Sequence, residues 1–359
     1  MDQLSIITQM FETLSNAEKA EFLKYLRVDK PSKTNKPSKA PKTNQAINSL
    51  EDIVLKHSKN PLPDRCDCPH CHSHNVVKYG RNGNVQKFKC KDCGKIFSLS
   101  TNTILFSTKK DLATWKKFCE CMINKFPLRK CAEICEINLH TAFNWRHKIL
   151  DALQNMQSNV TLKGIVESDE TFFDLSFKGT KKENFSIPRE AHNRGHSVST
   201  RGLSCEQVCV PSSVDLDHHS IGMATNLGKP CIQDVSKVLT QRVQEGSILV
   251  TDSYKGYQKV AFENGLTHVR IPRGKHKSGS FNINTVNSYH SELKRLIDHY
   301  FEGVATKYLN NYIVYNNFVN FAIDTYSNKI SILQDFTFST ACMTRGYAIK
   351  DRPALPFKI

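Results

Sequence analysis

Cys68 and Cys71, then Cys90 and Cys93, form two C-x-x-C pairs separated by residues 72–89. Two residues between thiols let both sulfurs of a pair reach one ion. A connection of roughly 15–20 residues is long enough for a hairpin that returns the second pair to complete a tetrahedron. Structural Zn2+ held by Cys68, Cys71, Cys90 and Cys93 is the chemistry expected. Val76, Val77 and Tyr79 read as one strand of that hairpin, Asn82-Gly83-Asn84 as its turn, and Val85 and Phe88 as the other strand. Cys66, His70, His72 and His74 stand close by, but any of them as a ligand would break the matched pairs, so they read as solvated loop side chains.

A second kind of metal chemistry is suggested by acids that close apolar runs. Residues 164–173 read as a strand that carries Asp169, and residues 247–252 as a buried strand that delivers Asp252 at its end. Cleaving and joining phosphodiesters needs two divalent ions about 3.5–4 Å apart. Such ions are hard and take oxygen ligands, so carboxylates at adjacent strand ends suit Mg2+ or Mn2+. A lone aspartate at a strand end is usually a cap or turn residue; a matched pair is much less often so.

The elements that must position these residues follow from periodicity. Residues 4–27 suit one or two short amphipathic helices, with a capping-box pattern at Ser15 and Glu18. Residues 29–49 lack large apolar side chains and read as a flexible basic linker. Residues 50–100 hold the zinc ribbon, and 101–160 a helical region. There Leu112, Trp115, Phe118, Cys119, Met122 and Ile123 share one face behind an Asp111 N-cap. A short helix from Leu128, a turn near Glu136-Ile137-Asn138 and a helix from about His140 resemble a helix-turn-helix. The last of these would carry His140, Asn144, Arg146, His147 and Lys148 outward toward DNA; a plain helical hairpin packed on the next domain is the alternative.

Within residues 161–326 the reading is strands at 164–173, 203–210 and 219–224, a helix at 232–243, a strand at 247–252, a helix at 256–263, a strand at 267–271 and a helix at 284–299. That is the order of a ribonuclease-H-like α/β core, a mixed sheet flanked by helices. Residues 327–359 read as an irregular tail.

Composition agrees with a polyanion partner. Of 359 residues, 50 are Lys or Arg against 34 Asp or Glu, a formal charge of +16, which favours nucleic acid without excluding a membrane surface. The start Met1-Asp2-Gln3 has no secretory pattern, and no apolar run is long enough to cross a bilayer. The 13 cysteines then read as reduced thiols of a cytoplasmic protein.

The set VESDETFF, RGLSCEQVCV, VTDSYKGY and NINTVNSYHSELKRLI resembles the ISXO-type insertion-sequence transposases, from the zinc ribbon to about residue 326. The resemblance implies a bacterial, nucleoid-associated enzyme. It would bind the terminal inverted repeats of its element as double-stranded DNA, work as a homodimer or larger, and cut and join strands with two Mg2+ or Mn2+ ions. It also implies that Asp169 and Asp252 are the first two metal ligands, Asn287 the third, and Lys294 the basic residue that follows. The commoner third residue is glutamate; an amide oxygen still ligates but adds no charge. At about 100° per residue Lys294 is nearly in line with Asn287, His290 about 60° away and Glu292 about 140° away, so Glu292 is a poor substitute and His290 a possible one. Glu167 shares the strand face of Asp169, as an outer helper or a surface ion pair. Lys178, Lys181, Lys182, Arg189, Arg194 and Arg201 lie between the first two strands and read as phosphate contacts. Two other readings remain: a DNA-binding regulator that no longer cuts, and a junction resolvase on the same fold.

Overall fold

The computed structural model describes residues 67–83, 85–158, 160–179, 207–275, 277–321, 326–339 and 342–357. The expected helices at 4–27, the basic linker and Lys181, Lys182, Arg189, Arg194 and Arg201 lie outside the described residues.

The cysteine-rich segment is a small antiparallel sheet, β1 (Val76–Asn82), β2 (Val85–Cys90) and β3 (Ile96–Phe97). Gly83 turns the hairpin at φ +59°, a conformation that suits glycine. Among the described residues its buried core is Phe88 and Phe97, stacked at 5.8 Å, with Cys68 and Cys90, and half-buried Val76 and Leu99 pack against it. So little apolar burial cannot hold a domain without a cross-link.

Three helices follow, α1 (Leu112–Ile123), α2 (Leu128–Ile134) and α3 (Leu139–Gln157). Asp111 caps α1 by accepting from the Thr114 N–H at 2.9 Å, and the expected apolar face is buried. Asn138 caps α3 in the same way through Thr141, at 2.7 Å. Trp115 of α1 stacks on Trp145 of α3 with ring centroids 3.7 Å apart, which anchors the helical core.

The larger sheet contains β4 (Ile165–Asp174), β5 (Gln207–Asp215), β6 (Ser220–Gly222), β7 (Asn226–Leu227), β8 (Ile248–Thr251) and β9 (Thr267–Arg270). Its order is β6-β5-β4-β8-β9, with β7 also on β5; β4, β5 and β6 run antiparallel, whereas β8 and β9 run parallel to β4. Helices α4 (Ile232–Leu239) and α5 (Gly256–Glu263) pack Val235, Val238, Tyr257 and Val260 against Val166 and Leu249. The opposite face takes α6 (Asn284–Arg295) and α7 (Leu309–Asn316), where Val286, Tyr289, Leu293 and Ile313 meet Phe173, Val208, Val210 and Val214. The observed element order is the one read from the sequence except for the short strand β7, which the sequence reading did not contain.

The C-terminal segment is not irregular, as the sequence suggested. It contains α8 (Tyr326–Ser339) and α9 (Gly346–Lys350). Leu333, Thr337 and Phe338 are fully buried, and Phe338 meets Trp115 edge-on. A threonine in the buried stripe hid the helix, because its hydroxyl is satisfied by the Leu333 carbonyl one turn earlier at 2.5 Å. Arg352 then ties this segment to α3 through both carboxylate oxygens of Asp151, at 2.6 and 2.7 Å. Among the described residues no helix is long and apolar enough to cross a membrane.

Candidate active site

Parallel pairing of β4 with β8 brings the two aspartates together. The register aligns Glu167 with Val250 and Ser168 with Thr251, so one residue further along each chain stand Asp169 and Asp252. Neighbouring strands lie about 4.8 Å apart and aligned side chains leave the same face, which makes the two carboxylates close neighbours. Just past the strand, Asp252 turns back to accept the Tyr254 N–H at 2.8 Å, which fixes one of its oxygens.

Alternation along β4 puts Glu167, Asp169 and Phe173 on the face covered by α6, and Glu170 on the other. Glu167 is buried and accepts from the backbone N–H groups of Thr285 and Val286, at 2.7 and 3.0 Å, and from the Thr285 hydroxyl at 3.0 Å. It is therefore neither a surface ion pair nor a free helper: its carboxylate seats the first turn of α6, which in turn carries Asn287, His290 and Lys294. Asn287 and Lys294 are exposed, whereas His290 is buried with Nδ1 4.0 Å from Asp169 Oδ2. Glu292 turns away to Arg295 at 2.9 Å, in keeping with its position round the helix.

The electrostatics suit a cation. Burial pushes the Asp169 carboxyl up to about 6; the Asp252 charge adds to this, while the Glu170 backbone and Lys294 oppose it. Burial likewise raises Glu170 to about 7, although the Tyr257 hydroxyl, on the face away from α6, partly offsets the rise. The sequence gives no hint that Tyr257 lies near Glu170, since the two residues are distant and of ordinary type. Burial and the Lys294 charge hold His290 down at about 3, hence neutral at ordinary pH. The Asp169 anion, disfavoured by burial and by the neighbouring Asp252 charge, is one that a divalent ion would relieve. Asp174, Lys294, Asp298 and His299 line an adjoining cleft of about 620 Å³.

At the other site, Cys68, Cys71, Cys90 and Cys93 place their sulfurs within 4.8 Å of one another. Cys68–Cys93 and Cys71–Cys90 are each 3.6 Å apart. Four sulfurs about 2.3 Å from one ion would be about 3.8 Å apart in a tetrahedron, so the residues fit zinc. The Cys93 backbone N–H helps lower the Cys90 thiol to about 7, toward the thiolate that zinc requires. His74 is engaged with Asp67 at 2.6 Å instead, and His70 and His72 are no part of the four-sulfur group.

The outward-facing set expected on α3 is only partly outward. Arg146 is buried: it donates to the Phe126 carbonyl at 2.5 Å and lies 4.8 Å over the Phe301 ring. His147 is buried between Phe143 and Tyr308. Asn144 and Lys148 are half-buried, and among the expected residues of this helix only His140 in its first turn is exposed. The reason is that α3 is covered on several sides, by α1 and α2 and by the C-terminal helices, so the side opposite Trp145 is not solvent. Lys178 reaches the Glu302 carbonyl at 3.5 Å.

Residues 161–318 match the family described as ISXO2-like transposase domain. A Halobacterium salinarum protein described as an uncharacterized protein in transposable element ISH50 is 24% identical over 251 residues, 68% of this chain and 82% of the relative. The crystal structure of a pre-cleavage Mos1 transpososome overlaps 58% of this chain and 71% of its own at 12% identity, with a TM-score of 0.26, a likeness too slight to bear on the fold. The match over residues 161–318 and the relative from a transposable element together support an insertion-sequence transposase.

Proposed function

We propose that this chain is a DNA transposase that binds the ends of its element and catalyses metal-dependent strand cleavage and strand transfer. The observation that carries the reading is the register of β4 on β8, which brings Asp169 and Asp252 together. A sheet of order β6-β5-β4-β8-β9, with the first three strands antiparallel and the last two parallel, supports a ribonuclease-H-like core. The match to a transposase domain supports DNA as substrate.

Asp169 and Asp252 hold the divalent ions, Mg2+ or Mn2+, with Asn287 of α6 as third ligand. When bound, such ions activate the attacking oxygen and stabilise the leaving one. Glu167 keeps α6 in register with the strands, so Asn287 and Lys294 face the same phosphate. Lys294, exposed on the helix, contacts that phosphate as a point charge. The four cysteines hold structural zinc in a ribbon whose lysines favour DNA. The α2–α3 pair acts as a helix-turn-helix through the exposed first turn of α3, with Asn144 and Lys148 at its margin; Arg146, buried and donating to the Phe126 carbonyl, is withdrawn from that role. Arg189, Arg194 and Arg201 are retained as phosphate contacts. Two copies of the chain act together, since two DNA ends must be joined.

A DNA-binding regulator that no longer cuts is the second reading, and the neutral amide of Asn287 is what favours it. One assay separates the two. Purified protein is incubated with DNA carrying the element end and Mg2+ or Mn2+, and nicking is scored. The transposase reading requires nicking that Asp252→Ala abolishes; binding without nicking by the wild-type protein supports the regulator.

A further inference from the structure

The C-terminal segment follows α3 closely, and two contacts fix its path. The backbone of Gly346 lies against the Asn144 side chain; a Cβ there would stand 3.4 Å from the amide nitrogen. Arg352 reaches both carboxylate oxygens of Asp151. Gly346 to Arg352 therefore runs beside Asn144 to Asp151, about 10.5 Å of helix, in the same direction. Between the two contacts the Ile349 carbonyl accepts the Tyr308 hydroxyl at 3.1 Å, which holds α9 in place. Traced backwards from Gly346, the segment leads toward the first turn of α3, where the Asn144 amide donates to the exposed His140 at 3.3 Å.

Two side chains beside that turn are left to solvent. Arg345, which precedes Gly346, is exposed and makes no ion pair among the described residues. Tyr347, which follows it, is 62% exposed. On the other flank Lys110 reaches the Glu136 carbonyl, at 3.3 Å, in the turn that precedes α3. The exposed acids nearest in the chain, Glu133 and Glu136, belong to α2 and the turn after it. Guanidinium and phenol hydroxyl groups are common donors to DNA phosphates, and phosphate contacts set the position of a helix in its groove.

We propose that Arg345 and Tyr347 donate to phosphates of the bound duplex beside the first turn of α3, so that the C-terminal segment and the α2–α3 pair form one DNA-binding surface. The inference rests on the helix-turn-helix reading proposed above. It gives the Asp151–Arg352 pair a second consequence: by fixing the segment along α3, the pair sets where Arg345 stands.

The test is binding of the full-length, zinc-loaded chain to a duplex carrying the element end, measured across a salt series. Arg345→Ala should weaken binding about fivefold to tenfold and lower the slope of log K against log salt by about one. Tyr347→Ala should weaken it about threefold, and Tyr347→Phe as much, since the hydroxyl makes the contact. Thermal melts of these variants should match the wild-type protein, because both side chains are exposed. His140→Ala probes α3 separately. Binding weakened in His140→Ala but unchanged, in affinity and in salt slope, when Arg345→Ala and Tyr347→Ala are combined would overturn the proposal and leave the helix-turn-helix standing. Binding unchanged by all three substitutions would remove the helix-turn-helix reading and this inference with it.

Discussion

The carboxylate of Glu167 accepts the backbone N–H of Val286 at 3.0 Å, so a strand residue two places before Asp169 caps the helix that carries Asn287 and Lys294. One side chain thereby couples the strand half of the site to its helix half. Negative charge at a helix N-terminus is favourable in itself, and here it also satisfies donors that have no partner within the helix.

Glu167→Ala is therefore expected to cost about 3 kcal/mol, the range for charged hydrogen bonds lost in a buried setting. A thermal melt reads this directly. Glu167→Gln, which keeps shape and one acceptor, should recover roughly half of the loss. In a cleavage assay both variants should lose rate while DNA affinity changes little, because the residue touches neither metal nor phosphate in this account.

Removing zinc should unfold the ribbon and spare the sheet domain. The core of residues 67–100 is Phe88 and Phe97 beside the cysteines, whereas the sheet domain has two apolar layers of its own. Cys90→Ser or a strong chelator should abolish ordered amide signals from the ribbon and leave the far-ultraviolet helix signal nearly intact. Loss of both together would show that the ribbon is an integral part of the core.

The Asp151–Arg352 pair should prove to be a clasp for the C-terminal segment. Arg352 also donates to Asn311 at 2.9 Å, and both partners of the pair are largely buried. Breaking it by Arg352→Ala should cost about 2 kcal/mol, since the Asp151 carboxylate loses its counter-charge and keeps only the Asn311 amide as donor. A double-mutant cycle with Asp151→Asn measures the coupling, and proteolysis within residues 342–357 should quicken in step.

Stability should depend on pH through His147. Burial holds its imidazole down at about 3, helped by the charges of Arg352, Arg146 and Lys307. Its folded value lies below the unfolded one, so between about pH 6.5 and 3 the unfolded chain binds the extra proton. Stability contributed by neutral His147 is thus present above pH 6.5 and lost as pH falls, by up to about 1.4 kcal/mol per unit. Asp169 and Glu170, raised by burial, act in the opposite sense, so the effect is best read as a difference between proteins. His147→Phe keeps the contacts with Phe143 and Tyr308, at 4.5 and 4.2 Å, and should gain on the wild-type protein as the solution is acidified from pH 7 to 5.

Much of this was legible in the amino-acid order, where patterns were local. The cysteine pairs, the Asp111 cap, the face of α1 and the strand and helix order of residues 164–299 each announce themselves within a few turns or one hairpin. What was not legible depends on which neighbour covers a surface. Arg146 and His147 look outward on a helix drawn alone, and only the arrival of Tyr308 and Phe301 from far along the chain encloses them. Glu167 reads as an ordinary strand acid until α6 lands on it, from 118 residues away. The helix at 326–339 was missed because Thr337 interrupts its apolar stripe while being fully buried. Periodicity reveals a face; it does not reveal how many partners that face will meet.

The most direct measurement of the aspartate pair is anomalous scattering from crystals of the full chain soaked in Mn2+. The account predicts a peak within about 2.0–2.6 Å of carboxylate oxygens of both Asp169 and Asp252. Manganese bound elsewhere, with Asp169 and Asp252 left without it at concentrations that saturate the protein, would contradict the assignment of these two residues as the catalytic metal site.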